Sequence, residues 1–157
     1  MLASEERIRL LSLVDIFEPL SSEEIERLNS QLPDVHLKRG EIFYTPKDHS
    51  ERLFVLWKGR VRVYKMTERR EFTLAVVEAG TVFGEMALTA QRLQEAYARA
   101  MEASEVSVIR RDDLERLILE KPEVGLQIVH LLLEYAIEQS RVRRAAKNSA
   151  KAHQQAN

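Results

Sequence analysis

Hydrophobic residues recur along this chain with two different periods, and the period changes twice. Over residues 1–32 the apolar positions follow helical spacing. Ile8, Leu11 and Phe17 belong to a first element, and Ile25, Leu28 and Leu32 form one face of a second. Ser21 and Glu24 precede that face with the spacing of a capping box, in which each side chain satisfies a free backbone N–H of the other residue. Pro33 closes the region. From Val35 to Ile109 the period drops to two and turn residues appear. Gly40 separates Val35–Arg39 from Glu41–Thr45. Lys58-Gly59 separates Leu53–Trp57 from Arg60–Lys65, where Val61 and Val63 alternate with Arg60 and Arg62 as on a half-buried strand. Met66 to Arg70 reads as a polar turn before Glu71–Val77, Gly80 marks the next turn, and Ala96–Ile109 reads as a further strand run. Short strands at this spacing predict an all-β sandwich or roll.

Helical spacing returns at Asp112. Asp112 and Glu115 suit an N-terminal cap, with Leu114, Leu117 and Ile118 facing inward, and Pro122 opens a last helix where proline is tolerated. Val124, Ile128, Leu131, Leu132, Tyr135 and Val142 then follow near the three-and-four spacing of a coiled-coil seam. This stripe predicts a two-fold homodimer whose last helices pack in parallel.

Composition narrows the function classes. A chain of 157 residues, 45% hydrophobic and 31% charged, is ordinary for a globular domain with a core of its own. A net charge of −1 argues against the whole chain being a nucleic-acid-binding surface. No apolar run approaches the roughly 20 residues that span a bilayer. The start, Met1 to Arg9, is charged rather than signal-like, and cysteine is absent, so a cytoplasmic protein without disulfides or thiolate-held metal is expected. His36, His49, His130 and His153 lack metal-ligand spacing, and no nucleophile–base set or phosphate-binding loop occurs. The expectation is therefore a non-enzyme with no metal. Arg141, Arg143, Arg144, Lys147 and Lys151 form a basic tail without an acid, with two readings: a linker that touches DNA phosphates, or, favoured for this chain alone, the solvated end of a helix where the dipole favours cations.

The candidate chemistry sits in Phe83-Gly84-Glu85-Met86-Ala87-Leu88. Gly84 permits a sharp turn, the residues after Glu85 read as a short helical turn with free N–H groups facing an anion, and Glu85 supplies an acceptor for a hydroxyl. Strand, turn, helix and strand together resemble the phosphate-binding cassette of cyclic-nucleotide-binding domains, above all those of Crp/Fnr-type bacterial transcription regulators. Leu53–Tyr64 is similar to that family's strand–Gly–strand hairpin, and Glu78–Glu85 to the entry to its cassette. Ala103–Leu114 is similar to its last strand running into a helix, and Lys121–Val124 to the start of its long C-terminal helix. The resemblance implies a mainly-β double-stranded β-helix, or jelly roll, with flanking helices. It implies a sensor domain over 1–121, a dimerisation helix over 122–148 and a tail or linker over 149–157, with the helix-turn-helix domain that contacts DNA absent from this chain.

One pair of residues departs from the family. Nine residues after the cassette Glu the family carries an Arg, followed by Ser, Thr or Ala, which grip the cyclic phosphate. Here those positions hold Gln94 and Glu95. Gln offers a neutral amide in place of a bidentate guanidinium. Glu95 adds a like charge, worth about 3–4 kcal/mol of repulsion if it sits 4–6 Å from the phosphate at an effective dielectric of about 20. The expected pocket is thus Phe83, Gly84, Glu85, Met86, Ala87, Gln94, Glu95 and Arg99, with a small-molecule effector in place of a cyclic nucleotide, or no effector, and no certain cofactor. Arg92 and Arg99 are the candidate surrogates for the missing Arg, Arg99 from a position expected to face the roll or the dimer helix. Gln139 and Ser140 stand where the family's long helix contacts the base. The alternatives are a stand-alone module regulating a protein partner, and a nucleotide-binding domain that uses a surrogate Arg.

Overall fold

A computed structural model describes residues 4–49, 51–84 and 94–155. The first region folds as α1 (Ser4–Leu13), a 3-10 turn (Asp15–Phe17) and α2 (Ser22–Gln31). The capping box forms as its spacing predicts: the Glu24 N–H donates to Ser21 Oγ at 3.2 Å, and the Ser21 N–H donates to Glu24 Oε1 at 3.0 Å.

The strands that follow are β1 (Asp34–Leu37), β2 (Ile42–Tyr44), β3 (Arg52–Lys58), β4 (Arg60–Thr67), β5 (Arg70–Glu78), β6 (Val82–Phe83), β7 (Tyr97–Ala100) and β8 (Ser104–Arg110). Among the described residues they build two four-stranded antiparallel sheets, ordered β1-β8-β3-β6 and β2-β7-β4-β5. The single run expected over Ala96–Ile109 is two strands, because bends at 101–103 carry the chain from one sheet to the other.

Two hydrophobic cores result, one on each side of the first sheet. Phe54, Leu56, Val106 and Val108 point between the sheets, where they meet Phe43, Phe83, Val61, Ala98 and Ala100. Leu53, Val55, Trp57 and Ile109 point the other way, onto Leu11, Phe17, Ile25 and Leu28 of the N-terminal helices. Burial on both faces explains why β3 reads as an unbroken apolar run rather than an alternating one. The β3–β4 turn depends on Gly59. Its φ is +99°, and a Cβ there would lie 2.7 Å from the Ala103 carbonyl oxygen.

Two helices complete the chain. α3 (Arg111–Glu120) starts one residue before the expected cap, and the Arg110 N–H donates to Asp113 Oδ2 at 3.3 Å. α4 (Pro122–Gln155) is one helix of 34 residues, about 51 Å long. It does not stop at 148, so the expected tail is helical as far as Gln155.

Burial within the protomer divides the predicted seam on α4. Val124 and Ile128 lie in the same core as Leu11, Phe17 and Leu114, and Leu131 and Leu132 pack half-buried against it. These four residues hold α4 to its own roll. The side chains of Tyr135 and Val142 fall outside the described residues. A second apolar stripe, Leu126, Val129, Leu133 and Ile137, remains 45–63% exposed along another side of the helix.

Candidate effector site

The inter-sheet core becomes aromatic where the cassette begins. Phe54 and Phe83 stack at 4.9 Å, and Phe43 meets both edge-on at 5.6 and 5.0 Å. Tyr44 lies against the same pair at 6.3 and 6.5 Å. Gly84 leaves this cluster with φ +87°, and a Cβ there would sit 3.2 Å from both the Arg52 carbonyl oxygen and Phe54 Cδ2. Backbone conformation and close packing therefore both call for glycine at this turn. Glu85, Met86, Ala87 and the candidate surrogate Arg92 lie outside the described residues.

The chain re-enters at Gln94, which is pinned by its backbone. Its N–H donates to the Asp48 carbonyl at 3.1 Å, and its own carbonyl accepts from the Lys47 N–H at 2.8 Å. The residue is 3% exposed, and its Nε2 is buried with no hydrogen-bond partner among the described residues. A buried donor left in that state costs roughly 1–3 kcal/mol. Glu95, the next residue, is exposed, so solvent screens the charge that was expected to repel a phosphate inside the roll.

Arg99 does not face the roll. Ala98 and Ala100 take the inward positions of β7, so strand alternation turns Arg99 to the outer face of the second sheet. There its guanidinium stands 5.5 Å from the Tyr64 ring, which stacks on Tyr97 at 5.1 Å and carries Arg62 at 4.6 Å. Arg62 is committed to Glu71 and Thr73, at 2.5 and 2.8 Å. Of the two positions expected on the long helix, Ser140 is exposed, and the side chain of Gln139 lies outside the described residues.

Residues 34–121 match the cyclic nucleotide-binding domain family, more than half of the chain. The chain belongs to this family. Among curated members it is 29% identical over 118 residues to the cyclic AMP receptor protein of Thermus thermophilus, covering 74% of this chain and 55% of that protein. It is 24% identical over 124 residues to a CRP-like cAMP-activated global transcriptional regulator of Mycobacterium tuberculosis, covering 78% and 55%. The chain thus spans about half the length of these curated relatives. The crystal structure of the Thermus thermophilus catabolite activator protein superposes with a TM-score of 0.77 at 26% identity, over 85% of this chain and 63% of that one. The roll and the long helix of this chain are similar to those of that structure.

Sequence reasoning missed a polar cluster that ties α1 to this domain. Arg7 donates from Nη1 and Nη2 to the two carboxylate oxygens of Asp34, at 2.9 and 2.6 Å. Ser107 Oγ donates to the same carboxylate at 2.8 Å and accepts from Trp57 Nε1 at 2.6 Å and from Arg7. The Arg7 guanidinium also lies 4.8 Å from the Trp57 ring. The one available signal was Trp57, whose indole N–H needs an acceptor wherever the ring is buried.

Proposed function

We propose that this chain is the effector-sensing and dimerisation module of a Crp/Fnr-type transcription regulator, and that its effector is not a cyclic nucleotide. The observation that carries the reading is Gln94: a buried amide whose N–H has no partner among the described residues, at the position where the family resemblance calls for a guanidinium. Taking the charged partner from a buried phosphate costs roughly 3–5 kcal/mol, enough to turn a micromolar site into a millimolar one. The same N–H suits a carbonyl, hydroxyl or amide oxygen on an uncharged ligand. The exposed stripe Leu126, Val129, Leu133 and Ile137 supports pairing of two α4 helices about a two-fold axis, because its spacing is that of a seam and it is left uncovered among the described residues. DNA is then reached through a domain beyond the sensor.

The test is a thermal-shift screen of the full chain with cAMP, cGMP and a panel of small metabolites rich in neutral oxygen acceptors. The expected result is no stabilisation by either cyclic nucleotide at 1 mM and stabilisation by an uncharged ligand that is lost in Gln94→Leu. Stabilisation by cAMP at tens of micromolar contradicts the reading.

A further inference from the structure

The exposed stripe on α4 does not end at Ile137; it changes chemistry. From Leu126, Val129, Leu133 and Ile137 the same three-and-four track runs on through Ser140, Arg144, Lys147 and Lys151, all exposed. No acidic residue follows Glu138, so these cations have no local counter-charge beyond that point. In the parallel pair proposed above, on which this inference rests, the apolar half of the track packs against its copy at the usual 8–10 Å between helix axes. Past Ser140, Arg144, Lys147 and Lys151 would each face their own copies. Six cations over about 10 Å of helix cannot share a dry seam. The two helices must diverge there, leaving arms of about 22 Å lined on their facing sides by positive charge, with Arg143 beside the track.

We propose that these two arms form a cationic fork that grips the phosphate backbone of duplex DNA without reading its sequence. A helix fits the major groove, and basic helices diverging from a dimer seam are a known way to straddle a duplex. The rest of the chain is acidic enough to bring the net charge to −1, so attraction for a polyanion is concentrated on the arms. A membrane surface is the poorer fit. From Arg143 to Gln155 the helix carries no Leu, Ile, Phe or Trp to bury among lipid chains.

The experiment is fluorescence anisotropy of a labelled 20-base-pair duplex with the full chain between 50 and 200 mM salt, beside light scattering in the same buffers. Wild-type protein is expected to bind two unrelated sequences equally, with an affinity that falls steeply with salt. Arg144→Gln with Lys147→Gln and Lys151→Gln should flatten the log–log salt slope by about 5, because six phosphate contacts are lost across the pair. Affinity at 50 mM should fall at least tenfold, whereas Arg144→Lys should keep both. An unchanged slope in the triple variant overturns the proposal, as does failure to bind at 50 mM or binding of tripolyphosphate that duplex does not displace. A chain that scatters as a monomer, with a slope change near half that size, overturns the paired fork and the dimer reading together. Duplex binding by a confirmed dimer that ignores the triple substitution overturns the fork alone.

Discussion

Gly59, Gly84 and Gly40 all take positive φ, at +99°, +87° and +88°, yet their surroundings differ. A Cβ on Gly40 meets nothing within 4 Å, one on Gly84 presses on Phe54 and the Arg52 carbonyl at 3.2 Å, and one on Gly59 collides with Ala103 and Ser104. Substitution by Ala should therefore cost about 1 kcal/mol at Gly40 and progressively more at Gly84 and Gly59, read as midpoints of urea unfolding. Equal losses at all three would mean that conformation alone matters. Glu24 sets a pH dependence. The Ser21 backbone N–H, then the Lys121 ammonium at 3.0 Å and the Ser21 hydroxyl, lower its carboxyl to about 2. Because the folded value lies below the unfolded one, this stabilisation is complete above about pH 4.5 and drains away as pH falls toward 2. Glu24→Gln should lower the melting temperature at pH 7 and differ little from wild type near pH 2. The position of Gln94 was legible at this scale, by counting from the cassette, and its role is a proposal. Arg99 was not, because the inward residues flanking it are the alanines Ala98 and Ala100, whose small side chains leave the strand's phase ambiguous.

At the scale of elements, turns and caps carried the clearest signals. Ser21 and Glu24 announced α2, and Lys58-Gly59 announced the hairpin of β3 and β4, since each follows from a local backbone requirement. The facing of α4 was harder. Two apolar stripes run along it, both with three-and-four spacing, and periodicity alone does not say which meets the protomer's own core. The packing that decides it, Val124 and Ile128 in one core with Phe17, joins residues more than 100 positions apart. α1 was obscure for a related reason. Arg7 is one charge among several in a polar helix, and its role exists only once Asp34, Trp57 and Ser107 are brought beneath it. Arg7→Ala leaves the Asp34 carboxylate to Ser107 and solvent and removes the cover from Trp57. We expect it to cost about 1–3 kcal/mol, with faster hydrogen exchange in α1 and β1 than in β4. Exchange unchanged in α1 would show that apolar packing alone holds the helix.

For the whole molecule, the order of elements made the family legible from sequence. The roll is a series of short strands with glycine turns, and no single one of them needs long-range information to be recognised. The proposed dimer depends on which α4 stripe is free. Leu133→Glu with Ile137→Glu should give folded monomers at tens of micromolar by light scattering. Leu131→Glu with Leu132→Glu should instead lower the melting temperature, because those residues pack on the protomer's own core. The reverse assignment of the two outcomes would return the seam to the first stripe. The central claim, a Crp-type sensor that has given up the cyclic phosphate, is tested most directly by calorimetric titration with cAMP of wild-type protein beside Gln94→Arg, Glu95→Ser. The account predicts no wild-type affinity tighter than about 1 mM and a gain of at least a hundredfold in the double variant. Micromolar binding by the wild-type chain would contradict it.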